Sequence, residues 1–337
     1  MHLRVTETAE AALAEAVAEA SNKATVVVLR YMAWQRYHFH WAKHNGSGEF
    51  MRIPQKSDEE VYELLKAALD LGINVIDTAD IYGGGACEEH LGHVFKAHPG
   101  LREHFFLQSK CGIHITESKT YYDFDEDYIM NCVNGSLKRL HTDHLDSLLL
   151  HRPDVLMDVE AVGRAFDTLY KEGKVCFFGV SNMNSVQISY LKTAVNVPLL
   201  INQLQLSAAF SPMINATFNV NMENNLSYSD GTLLPMMQKE GMLVQAWSSL
   251  QYGMFEGTFL DSPKYPKLNA VLDQLAKAKG VSKSAIALSW ILRIPGKMQA
   301  IIRTTSPDHL KEAAAASSEL LTRAEWYEIY LTQHPLP

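Results

Sequence analysis

The chain has 337 residues, with 30 Lys+Arg against 38 Asp+Glu for a formal net charge of −8, and it is 47% hydrophobic and 20% charged. Such a surface repels phosphate backbones and anionic headgroups, so nucleic acid and membranes are excluded as partners, while the apolar share supports a sizeable core. Four widely spaced cysteines (Cys87, Cys111, Cys132, Cys176) include no Cys-x-x-Cys pair, and no apolar run approaches the roughly 18 residues that span a bilayer; a reducing, cytoplasmic setting is expected.

Residues 7–20 are rich in Ala and Glu and read as a helix capped by Thr6 or Thr8. From about residue 25 the rhythm changes to short apolar runs alternating with helical periodicity. The runs are TVVVL (25–29), INVI (73–76), FFLQS (105–109), DSLLL (146–150), VCFFGV (175–180), LLINQLQ (199–205), MLVQAW (242–247) and QAII (299–302). Helical segments are expected at 57–71, 86–97, 125–140, 158–172, 184–194, 231–240, 266–292 and 307–317.

Nearly continuous apolar strands require cover on both faces, as in parallel sheets flanked by helices. Eight βα units are the number at which such a sheet closes, and the first run leads into RYMAWQRY rather than a G-x-G-x-x-G turn. The expected fold is a single (β/α)8 TIM barrel over residues 25–337, preceded by a helical extension at 1–24, with TRAEWYEIYL (322–331) as an outer C-terminal helix.

In such barrels chemistry collects at the C-terminal ends of the strands. There the sequence places Asp77, Tyr82, Lys110 and His151. A phenol at its reference pKa of about 10 is a reluctant proton donor at pH 7 unless a nearby ammonium favours the phenolate. Lys110 can supply that charge, Asp77 can hold the lysine in place, and His151 can hydrogen-bond a substrate oxygen. Singly, each residue reads as readily as a rim salt bridge or loop hydrogen bond; their joint occurrence at neighbouring strand ends points to catalysis.

The segments DLGINVIDTADIYGG (70–84), QSKCGI (108–113), DHLDSLLLHRPD (143–154), GKVCFFGVSN (173–182), INQLQ (201–205) and QAIIRTTSPDHL (299–310) together resemble the aldo-keto reductase superfamily, in particular bacterial YdhF-type oxidoreductases, over residues 25–332. The resemblance implies reduction of a small-molecule aldehyde or ketone with NADPH/NADP+, NADH being the alternative. It gives Tyr82 the role of general acid, Lys110 and Asp77 that of tuning it, and His151 that of placing the carbonyl. It puts Ser181, Asn182 and Gln203 on the nicotinamide carboxamide and Trp247 against its ring, with Ser248 beside it. It makes Arg303, Thr304, Thr305, Ser306 and His309 a phosphate-binding loop at a helix N-terminus. Arg303 favours a 2′-phosphate, whereas His309 stands where relatives often carry an arginine. Read without the resemblance, Trp247 is a core residue and the loop an ordinary capped helix start.

Two departures stand out: Arg30 where relatives usually have glycine, and a long first loop (35–55) carrying His38, His40 and His44. With no accompanying Cys or carboxylate pattern, these histidines are not expected to bind metal and read better as a pocket rim. YYDFDED (121–127) reads as another rim loop with a helix cap at Asp125, and Tyr252 and Phe255 as pocket lining. The rivals to a reductase are a non-catalytic NADP(H)-binding regulatory or redox-sensing barrel, and a pseudoenzyme whose pocket Arg30 blocks. Composition assigns no oligomeric state.

Overall fold

A ring of parallel strands inside a ring of helices covers both faces of an apolar strand. A computed structural model of the chain describes residues 27–30, 56–116, 119–219, 231–253, 256–318, 321–334 and 336. Its strands are β1 (Val27–Arg30), β2 (Val75–Asp77), β3 (Phe106–Cys111), β4 (Ile113–Ile115), β5 (Thr120–Tyr122), β6 (Leu145–Leu150), β7 (Val175–Ser181), β8 (Leu199–Gln205), β9 (Leu243–Trp247) and β10 (Lys297–Ile302). Eight of them pair in the order β1, β10, β9, β8, β7, β6, β3, β2, and β2 returns to β1 to close a parallel barrel. The fold is therefore the expected (β/α)8 barrel.

Along most of their length the strands alternate between two environments, with a register shift between β7 and β8 at Phe178/Gly179. Outward residues such as Leu107, Leu148, Phe178, Val244 and Ala300 join the helices in one large apolar core, where Phe178 stacks on Phe166 at 4.3 Å. Each fully buried side chain of this size contributes about 1.5–3 kcal/mol. The barrel interior is different: a small apolar group of Val75, Trp247 and Ile301, backed by Phe106, accompanies the buried polar residues Asp77, Gln108, Lys110, Ser147, Gln203, Gln245 and Gln299.

Local signals explain most helix ends. Capping boxes start the helices Asp58–Asp70 (Ser57 with Glu60), Ser185–Leu191 (Asn184 with Gln187) and Arg323–Leu331 (Thr322 with Glu325). The outer helix is fastened by two reciprocal bonds: the Trp326 indole donates to the Trp290 carbonyl at 2.9 Å, and the Trp290 indole to the Trp326 carbonyl at 3.2 Å.

Several expectations need correction. The single helix over 266–292 is two, Pro266–Lys279 and Lys283–Leu292, because Gly280 ends the first in a left-handed conformation (φ 70°) and Ser282 caps the second. The segment 307–317 is an α-helix only to Ala314 and continues as a 3₁₀ turn. The rim segment at 121–127 begins as β5, paired antiparallel with β4 directly after β3, and Asp125 occupies the N-cap position of Glu126–Leu140 without a capping bond from its side chain. A further helix, Pro212–Phe218, follows β8. The proposed helix at 7–20, the histidines of the first loop and Phe255 lie outside the described residues.

Candidate active site

Three adjacent strands bring the first four residues together. Asp77 ends β2 in register with Gln108 of β3. Lys110, expected just past the strand end, lies inside β3 opposite Leu149 of β6, so the ladder fixes its direction. His151 follows β6, its backbone N–H donating to the Cys111 carbonyl at 2.9 Å. Tyr82 is carried on the turn after β2, which runs into Gly83, Gly84 and Gly85 at φ 62°, 67° and 98°; three consecutive positive φ values suit glycine and turn the chain sharply into the helix Ala86–Ala97.

The Lys110 ammonium has three protons and three acceptors. It lies 2.7 Å from Asp77 Oδ1, 2.6 Å from the Thr78 carbonyl and 3.3 Å from the Tyr82 hydroxyl. Both members of the Asp77–Lys110 pair are fully buried, and a buried pair holds only when such hydrogen bonds complete it. Because Lys110 donates to the Tyr82 oxygen, the tyrosine's own proton is directed elsewhere. His151 stands edge-on to the Tyr82 ring, centroids 5.7 Å apart.

A second group borders this one. The Ser181 hydroxyl donates to the Gln203 carbonyl at 3.0 Å, the Asn182 amide to the Ser181 hydroxyl at 2.7 Å, and the Trp247 indole to Asn182 Oδ1 at 3.0 Å. Asn182 and Ser248 both adopt positive φ at strand ends, 58° and 54°, a conformation that costs energy outside glycine and concentrates at functional sites. The Gln203 side chain turns inward, its amide donating to Asp77 Oδ1 at 2.9 Å and Gln245 Oε1 at 3.1 Å, while Ser248 donates to Gln251 Oε1 at 2.6 Å. Over the Trp247 ring, 5.4 Å from its centroid, sits the Arg152 guanidinium.

The third group follows β10. Ser306 caps the helix Pro307–Ala314 by accepting the His309 N–H at 3.5 Å, and Thr304 Oγ1 accepts the Ser306 N–H at 3.1 Å and lies 3.4 Å from His309 Nδ1. Arg303, Thr305 and His309 are exposed. The Ser249 hydroxyl donates to the Ile301 carbonyl at 2.7 Å, joining the turn after β9 to the strand that leads into this loop. Arg30, the last residue of β1, is in register with Asp77.

Two groups of residues that the sequence reading did not single out support the site. On the outer face of β3, buried Glu88 accepts from the Ser109 hydroxyl at 2.6 Å and pairs with Arg139 at 2.7 Å. Beside them Asp80, two residues before Tyr82, is pushed up to about 7 by burial and then by the Glu88 charge, and its Oδ1 has no hydrogen-bond partner. Burial and the Asp80 charge raise the neighbouring Cys132 thiol to about 12. Inside the barrel, Gln108, Gln245 and Gln299 accompany Gln203. Their one sequence signal is a glutamine within each of four largely apolar runs. Among the described residues no cluster of three His, Cys, Asp or Glu is arranged to hold a metal, and no helix is long and apolar enough to cross a membrane.

The geometry defines an α/β barrel with a buried tyrosine–lysine–carboxylate group at its C-terminal rim. The profile of the aldo/keto reductase family matches residues 42–330. A 6-dehydroglucose reductase of Agrobacterium fabrum is 34% identical over 281 residues, covering 81% of this chain and 88% of its own length, and the oxidoreductase YdhF of Escherichia coli is 34% identical over 277 residues, covering 81% and 87%. Among solved structures, the thermostable aldo-keto reductase Tm1743 has a TM-score of 0.68 at 25% identity over 91% of this chain and 94% of its own, and an aldo-keto reductase from Klebsiella pneumoniae in complex with NADPH shares the fold at a TM-score of 0.69 and 24% identity over 93% and 92%. The chain belongs to the aldo/keto reductase family, and is thereby an NAD(P)H-dependent oxidoreductase acting on small-molecule carbonyl compounds.

Proposed function

We propose that the chain reduces a polar aldehyde or ketone with NADPH, Tyr82 giving the proton to the carbonyl oxygen, and that residues 25–337 form the catalytic barrel with 1–24 as an extension of it. The observation that carries this reading is the sharing of Lys110 among Asp77, Thr78 and Tyr82. The ammonium stabilises the phenolate left behind when Tyr82 gives up its proton, and its ion pair with Asp77 holds it in place. His151, edge-on to Tyr82, is suited to hold the carbonyl oxygen in reach of the phenol.

The residues present suit a nicotinamide nucleotide. Ser181 and Asn182 offer donors and acceptors for a carboxamide, and the flat Trp247 indole suits stacking against a planar ring once the Arg152 guanidinium moves off it. When bound, the nucleotide supplies the hydride. Arg303 and the capped helix start at Ser306 favour its phosphates. The names of two relatives, the 6-dehydroglucose reductase and a methylglyoxal reductase of Escherichia coli 30% identical to this chain, support small, oxygen-rich carbonyl compounds as the substrate class. A cytoplasmic location goes with this reading, and the four cysteines, none in a disulfide, support it.

The test is turnover of 4-nitrobenzaldehyde and methylglyoxal with NADPH and NADH. Tyr82→Phe is expected to lower kcat by about 10²–10⁴-fold with nucleotide binding kept. Undiminished turnover in that variant would remove Tyr82 as the acid. NADPH binding by the parent chain without turnover of any carbonyl would favour a regulatory barrel instead.

A further inference from the structure

The middle of a TIM barrel is ordinarily filled with branched apolar side chains; here it holds a connected set of amides. Gln108 on β3, Gln203 on β8, Gln245 on β9 and Gln299 on β10 all point inward and are buried. An amide removed from water loses stability unless it is hydrogen-bonded, so the direction of each bond is informative.

The directions converge. The Ser147 hydroxyl donates to Gln108 Oε1 at 3.1 Å, which leaves the Gln108 amide nitrogen to donate to Asp77 Oδ1 at 2.6 Å and to Gln245 Oε1 at 2.8 Å. The Gln203 nitrogen makes the same two bonds, at 2.9 and 3.1 Å. The Gln245 nitrogen donates in turn to Gln299 Oε1 at 3.1 Å. Gln245 therefore reaches across the bore, and its single carbonyl oxygen receives one N–H from each of the two glutamines that grip Asp77.

We propose that Gln245 is a positioning residue for proton transfer: it fixes Gln108 and Gln203 so that each keeps an N–H on Asp77 Oδ1, and so holds Asp77 where Lys110 can reach Tyr82 as well. Without that oxygen each of the two amides loses one acceptor for its N–H groups, and its hold on the carboxylate loosens. Asp77 would then shift, and Lys110 would follow its closest charged partner away from the longer 3.3 Å contact with Tyr82. The effect falls on the proton-donating step and leaves Ser181, Asn182 and Trp247, which Gln245 does not bond, in place.

The inference rests on the proposed role of Tyr82, and one set of assays separates the two. Gln245→Met, which keeps the volume and removes the acceptor, is expected to lower the kcat of the folded protein by about ten- to a hundredfold with the KM for NADPH nearly unchanged, and to lower Tm because two buried N–H groups lose their acceptor. In Gln245→Glu, burial beside Asp77 keeps the introduced carboxyl protonated. Its carbonyl accepts from Gln108 and Gln203 and its hydroxyl donates to Gln299, so kcat is expected to stay within about threefold of the parent. A folded Gln245→Met with parental kcat, or a Gln245→Glu that loses as much as Gln245→Met, overturns the proposal. If Gln245→Met does not fold, Gln245→Asn decides, since it keeps an amide in the bore but draws the oxygen back by one methylene; the same loss of kcat supports the proposal and an unchanged kcat overturns it. Loss of turnover in Tyr82→Phe alongside an unaffected Gln245→Met sinks only the inference, whereas full turnover in Tyr82→Phe sinks both.

Discussion

Two ion pairs lie on opposite faces of β3, one residue apart in their anchoring, the inner one fully buried and the outer one with buried Glu88 and half-buried Arg139. Inside the barrel Lys110 meets Asp77 at 2.7 Å, and outside it Glu88, bonded to Ser109, meets Arg139 at 2.7 Å. The turn bearing Tyr82 straddles them, with Tyr82 on the inner pair and Asp80 on the outer one. Their cations differ as their tasks do. Lysine is a compact charge with three independent donors, and one of them is left for the tyrosine. Arginine is a planar fork; its Nε and Nη2 both go to Glu88 Oε2, at 2.9 and 2.7 Å, and Nη2 also reaches the Ser136 hydroxyl at 3.2 Å. The inner pair is arranged for chemistry, the outer one for holding the helices against the turn. The chain makes room for the latter at Gly92, where a Cβ would lie 2.0 Å from the Arg139 carbonyl oxygen.

Removing one cation from each pair sharpens the contrast most. Lys110→Met is expected to lower kcat by about 10²–10⁴-fold, measured as steady-state carbonyl reduction per folded protein; a loss confined to KM would deny the inner pair its chemical role. Arg139→Met leaves Glu88 buried without its countercharge, and a loss of about 3–5 kcal/mol in denaturant unfolding is expected, with kcat of the folded fraction near the parental value. An Arg139→Met protein that is fully stable but inactive would reverse the assignment of the two pairs.

Asp80 gives a smaller, pH-dependent effect. Its ordinary value is 3.8 and its folded value about 7, so between those pH values the folded chain keeps a proton that the unfolded chain has released. Stability contributed by this group is present below about pH 4 and falls as pH rises to 7, by at most about 4 kcal/mol. Asp80→Asn is expected to flatten that fall in Tm measured from pH 5 to 8; an unchanged slope would place the proton on another group.

The barrel was readable in the sequence because parallel strands covered on both faces must be apolar nearly throughout, and eight such runs alternate with helical periodicity. The tyrosine, lysine, aspartate and histidine were readable because a barrel's rim is where strands end, although Lys110 proved to lie within β3 rather than beyond it. The glutamine layer left a trace in FFLQS, LLINQLQ, MLVQAW and QAII, but a run apolar on both faces does not reveal which of its residues point inward. The outer pair left no trace at all. Asp80, Glu88 and Arg139 belong to a turn and two helices whose juxtaposition depends on how closely those helices pack.

The seam at which the barrel closes joins β1 to β10, with Val27 beside Ala300. During synthesis the first strand therefore waits for β10, about 270 residues later in the chain, to leave the ribosome before its last neighbour arrives. Until then the sheet keeps two open edges of unpaired backbone on apolar strands, the kind of surface that recruits other chains. Closure of the barrel is thereby tied to the arrival of its last strand, and crowding of nascent copies before that stage is where its yield will be most sensitive.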